Sequence, residues 1–104
     1  MAGGINNTFG AYAIPNIEID AYDVLCNRPR NAAYRAPGVP GPTYAIESLV
    51  DELCNQLGIG AMDLRLKNVA PEGNPRANGT RLPATGLKEV METAAASAHY
   101  RSEV

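Results

Sequence analysis

Five apolar residues set the strongest constraint on how this chain can fold. Ile46, Leu49, Val50, Leu53 and Leu57 fall at i, i+3, i+4, i+7 and i+11, which places them along one face of a helix. Pro42 or Thr43 suits the first turn, and Gly58 fits the left-handed position that stops a helix. Glu47, Asp51 and Glu52 lie on the opposite face, where Glu47 favours the positive end of the helix dipole.

The flanking segments are of a different kind. Residues 27–42 contain Pro29, Pro37, Gly38, Pro40, Gly41 and Pro42, and residues 70–84 contain Pro71, Gly73, Pro75, Gly79 and Pro83. Such stretches form structured loops, because proline fixes φ and glycine opens positive φ. Between the helix and the second loop, Met62, Leu66 and Val69 continue one apolar face from Ile59, so a short helix is expected from about Gly60 to Asn68, with Asp63 and Lys67 placed to pair at i,i+4. After the second loop, Thr85 is an expected N-cap for a third helix whose stripe is Leu87, Val90, Met91, Ala94 and Ala98. The Gly- and Asn-rich residues 1–10 read as a leader. Tyr12 to Cys26 reads as strand, with Ile17, Ile19 and Ala21 alternating against Glu18, Asp20 and Tyr22, and with Pro15 at a strand start or edge. The expected fold class is therefore α+β: a small β hairpin or mixed sheet packed on about three helices in two layers, with residues 1–104 forming a single domain.

Composition narrows the function. The chain has 104 residues, 45% apolar and 19% charged, with a net charge of −2 and no basic block. Nucleic acid is excluded as a partner, since phosphate binding needs clustered Lys and Arg. No apolar run approaches the roughly 18 residues of a membrane span, and no secretory signal opens the chain, so a cytoplasmic location is expected. Cys26 and Cys54 lack Cys-x-x-Cys spacing and read as reduced, half-buried thiols, and with a single His99 a zinc site has no ligand set. No serine elbow, phosphate-binding Gly-Lys-Ser/Thr loop or metal-ligand cluster is present, so no catalytic residue and no metal ligand is assigned in this segment.

What remains is the stretch Asn31-Ala32-Ala33-Tyr34-Arg35-Ala36-Pro37-Gly38-Val39-Pro40-Gly41, which runs into the first helix. A Pro/Gly turn at a helix N-terminus offers unpaired amides to an anion or an oxygen-rich ligand, and Arg35 adds a planar, permanently charged donor fork. The same pattern also serves as a rigid connector whose arginine caps a carbonyl or pairs with a carboxylate.

The series Ala33-Tyr34-Arg35-Ala36-Pro37-Gly38, Tyr44-Ala45-Ile46-Glu47-Ser48, Asp51-Glu52, Leu57-Gly58-Ile59 and Leu64-Arg65-Leu66-Lys67-Asn68 resembles the molybdopterin-binding large subunit of the xanthine dehydrogenase/aldehyde oxidase family. Tyr12 to Ile17 and Gly86-Leu87 fall in the same order, so the likeness covers nearly the whole chain. The resemblance implies a molybdenum–molybdopterin cofactor in a complete enzyme, none of it retained by the isolated chain. It implies oxidation of an aldehyde or N-heterocycle with oxygen from water. Ala33, Tyr34, Arg35 and Ala36 would border the cofactor, and Arg35, Pro37 and Gly38 the substrate pocket. It further implies, as partners, the remainder of a large subunit and iron–sulfur or flavin domains. The chain departs from the family pattern in three ways. The family's catalytic Glu, in a Gly-Gly-Glu-like context, has no counterpart here; Pro37 stands where purine-oxidising members carry Phe; and Gly41 stands where Gln is frequent. The expectation is one wall of a cofactor pocket, inactive alone. The competing reading is a non-catalytic interaction module, derived from the family, whose exposed apolar surface binds a partner or a second copy of itself.

Overall fold

A computed structural model describes residues 2–29, 32 and 34–102. Five helices follow in order: α1 (Ala2–Asn7), α2 (Pro40–Leu57), α3 (Ala61–Asn68), α4 (Leu87–Ala96) and α5 (Ala98–Arg101). Helix α2 is the backbone of the molecule. Pro40 opens it with φ already set, and Gly58 closes it at φ 63°, its amide donating to the Cys54 carbonyl. Helix α1 packs against α2, α2 against α3, and α3 against α4.

The expected sheet does not form: among the described residues the regular elements are all helices, with no strand and only two isolated antiparallel bridges, Tyr12–Val69 and Pro75–Arg81. The bridges cannot grow. Beside Tyr12–Val69, the amides of Ala13 and Ala70 donate to the carbonyls of Asn68 and Ala11 at 2.8 and 2.9 Å. One step further, helix α3 claims the backbone on one side and Pro71 offers no N–H on the other. The second bridge is hemmed in by Pro83 and by the turn at Gly79. Residues 14–25 form neither helix nor strand, with a bend at Pro15 and Asn16, and make no backbone hydrogen bond with any described residue. The alternation survives only where Ile17 and Ile19 lean on the body, lining a shallow hollow with Ile5, Asn6, Ala77 and Asn78; from Ala21 to Cys26 every residue is exposed.

Other expectations are corrected in the same way. The leader contains a helical turn, α1, at whose Gly4 the chain touches the Gly38 carbonyl so closely that a Cβ would collide with it. Gly86, in the left-handed region at φ 62°, takes the position expected of Thr85 before α4, with no side-chain cap. The stripe on α4 is not buried; Val90 is 65% exposed. Asp63 forms no ion pair with Lys67 among the described residues. Of the two free thiols, Cys54 is buried and Cys26 exposed, so neither is half-buried.

The core is correspondingly thin. The buried apolar residues are Tyr12, Cys54, Ala70 and Leu82, while Tyr22, Val24, Leu25, Tyr34 and Leu57 are among the large apolar side chains left in solvent. The accessible surface is 8437 Å² for 11.0 kDa. A compact protein of this mass exposes about 5600 Å². The radius of gyration, 16.1 Å, also exceeds the roughly 13 Å of a compact chain this long.

Candidate functional site

Residues 34–38 stand at the N-terminal end of α2 as an exposed turn. Ala36-Pro37-Gly38-Val39 follows the type II pattern, with Pro second, Gly third at φ 74°, and the Val39 amide donating to the Ala36 carbonyl at 2.9 Å. Ala36 itself sits at φ 52°, a left-handed conformation uncommon outside glycine. Arg35 is exposed and has no ion-pair or hydrogen-bond partner among the described residues; the amides of Arg35, Ala36 and Gly38 have none either. Tyr34 is 83% exposed. Ala33 lies outside the described residues.

The helix end contributes less than its sequence suggests. Pro40 and Pro42 carry no N–H, and the Thr43 amide donates to the Val39 carbonyl at 3.1 Å, so Gly41 holds the single unspent donor of the first turn. The donor-rich surface is therefore the turn and Arg35 rather than the helix N-terminus.

Sequence reasoning passed over the most elaborate polar cluster, which lies where α2, α3 and the segment around Tyr12 meet. The Tyr12 hydroxyl donates into the Glu47 carboxylate, 2.9 Å from Oε1 and 2.8 Å from Oε2. Arg65 reaches across from α3: Nε donates to Glu47 Oε2 at 3.0 Å, and Nη2 lies 2.9 Å from the same oxygen and 2.8 Å from Asp51 Oδ1. Nη2 also donates to the Glu47 carbonyl and Nη1 to the Ala61 carbonyl. Burial, with the Glu47 carboxylate beside it, pushes the Tyr12 phenol up to about 12. Burial alone would lower Arg65, but the hydrogen bonds to Asp51 and Glu47 outweigh it and hold the guanidinium above its usual range. A signal for this cluster was present: Glu47 and Asp51 stack two like charges at i,i+4, which destabilises a helix unless a cation from elsewhere bridges them.

No group of three or more His, Cys, Asp or Glu that could hold a metal occurs among the described residues, and no helix there is long and apolar enough to cross a membrane.

Residues 1–69 match the family described as molybdopterin cofactor-binding domain. The chain belongs to that family. Among curated proteins, the chain is 35% identical over 86 residues to the nicotinate dehydrogenase large molybdopterin subunit of Eubacterium barkeri, covering 82% of the chain and 20% of that subunit. It is 36% identical over 85 residues to the xanthine dehydrogenase molybdenum-binding subunit of Escherichia coli O157:H7, covering 79% and 11%. With the aldehyde oxidoreductase of Megalodesulfovibrio gigas it shares 31% over 81 residues, covering 78% and 9%. The chain thus spans a fifth or less of each of these relatives. No solved structure matches it.

Proposed function

We propose that residues 1–104 are one part of a larger cofactor-binding domain in a molybdenum hydroxylase, and that the Tyr34–Gly38 turn forms a wall of its cofactor and substrate pocket. The observation that carries this reading is the unspent donor set: an exposed guanidinium and the amides of Arg35, Ala36 and Gly38, with no partner for them among the described residues. The guanidinium adds donors and a fixed positive charge with no acceptor of its own, which suits the oxygen-bearing edge of a pterin–metal group or a substrate carbonyl. The family match supports the pterin as the group concerned.

When bound, that group supplies the metal oxidant for hydroxylating a carbon of an aldehyde or N-heterocycle with oxygen from water. The chain's own part is recognition. Arg35 offers a planar, permanently charged fork, and the amides of Arg35, Ala36 and Gly38 offer fixed dipoles. Pro37 adds apolar surface without a donor, and Ala33 and Tyr34 belong to the same wall. The general base and the iron–sulfur or flavin groups that carry electrons away reside in other segments or subunits, in the cytoplasm. The surplus accessible surface favours coverage by those segments over a free-standing module.

In the enzyme assembled with its remaining segments, Arg35→Ala is expected to lower kcat/KM by about a hundredfold, the usual scale for losing one preorganised donor. Elemental analysis should show unchanged molybdenum content. Wild-type kinetics in that variant would remove the turn from the pocket.

A further inference from the structure

Helix α2 carries the turn at one end and is joined to α3 at the other by Gly58-Ile59-Gly60, a link with two glycines. The helix buries only Cys54, so packing sets its direction weakly. From Gly58 to Val39 the rod is about 28 Å long, and a swing of about 5° at the link displaces the turn by about 2 Å. Helix α1 meets α2 at its turn end through Gly4 and the Gly38 carbonyl, and the Arg65 cluster is placed to hold the angle from the α3 side. One guanidinium binds three acceptors of α2, namely the Glu47 carboxylate, the Glu47 carbonyl and Asp51, together with the Ala61 carbonyl at the start of its own helix. Tyr12 fastens the same carboxylate to the segment bridged with Val69.

We infer that the Arg65 clamp on Glu47 and Asp51, closed by the Tyr12 hydroxyl, is a positioning device that fixes the direction in which α2 presents the Tyr34–Gly38 turn. This inference rests on the reading of that turn as a pocket wall. Arg65 and Tyr12 engage α2 at Glu47 and Asp51, well inside the helix from the Arg35 end, and act through the helix, so they are positioning residues rather than catalytic ones. The Arg fork is essential to the device: a lysine in its place keeps the charge but cannot serve both carboxylates and the carbonyl at once.

Two measurements test the clamp. Nitroxide labels on cysteines introduced at the exposed Tyr44 and Lys67, in a Cys26→Ser background, report the α2–α3 distance by pulsed EPR without reference to activity. Turnover per bound molybdenum in the assembled enzyme reports presentation of the turn, since a merely structural defect lowers the yield of loaded enzyme but not the rate per metal. Arg65→Lys is expected to shift or broaden the distance by about 2 Å and to lower kcat per molybdenum by about tenfold or more, with KM less affected. Tyr12→Phe, which removes one hydroxyl and keeps the ring, should move both readouts in the same direction by a smaller amount and serves if Arg65→Lys does not fold. A wild-type distance, or an altered distance with unchanged kcat per molybdenum, overturns the inference. If Arg35→Ala remains severe in that case, only the clamp is lost; if Arg35→Ala is also silent, the pocket reading falls with it.

Discussion

Tyr12 shows how much one side chain can be asked to do in a thin core. Its ring is among the few buried groups, its backbone forms the bridge to Val69, and its hydroxyl closes the Glu47 clamp. The phenol's rise from 10.0 to about 12 has a consequence for stability. In the unfolded chain the phenol ionises near 10, whereas in the folded chain it does so near 12. Its contribution is therefore fully present below pH 10 and is lost as pH climbs from 10 to about 12. Denaturant titrations of the wild type and Tyr12→Phe should show a stability gap that narrows across that window. A gap independent of pH would mean that the hydroxyl is not held by Glu47. Arg35 is the opposite case, an exposed side chain with no internal partner among the described residues, which leaves it available for the contact proposed above.

Among the elements, α2 agrees with its sequence pattern most closely. The expected first turn and the expected stop at Gly58 both appear, because proline and positive-φ glycine act on the local backbone whatever surrounds them. Gly58 sits at φ 63° with open space where a Cβ would go, so Gly58→Ala should cost only the conformational penalty, about 1 kcal/mol, read as a lower denaturation midpoint with an unchanged m-value. A loss several times larger would show that the site is packed rather than merely turned. Segment 14–25, which forms neither helix nor strand, is the contrasting case. Its alternating pattern was legible, but a strand exists only when another backbone accepts its hydrogen bonds, and none of the described residues does so.

At the scale of the molecule, surface outruns core. The area is about half again that of a compact protein of the same mass, with Leu25 99% and Val24 76% exposed, which accords with the proposed coverage by further segments. The isolated chain should accordingly bind a hydrophobic dye such as ANS, and co-expression with the remaining segments of the large subunit should abolish that binding. Persistence of the signal in the assembled enzyme would return the interaction-module reading to consideration. The same thinness explains why the clamp between Arg65, Glu47 and Asp51 matters: where few side chains are buried, a few directional bonds decide how the helices lie.

Sequence alone determined the local features: the existence of α2 and its glycine stop, though not its start two residues earlier at Pro40, the neighbouring α3, a Pro/Gly turn before α2, and, through an ordered series of short motifs, membership of the molybdopterin-binding family. These depend on φ preferences and on residue order, which are written in the chain itself. Tertiary structure decided the absence of a sheet, the reach of Arg65 to two carboxylates eighteen and fourteen residues away, and the near-empty donor set at the start of α2. Those depend on which backbone and which charge come to lie opposite one another in space, and pairing across distance is set by the packed arrangement rather than by any local run of residues.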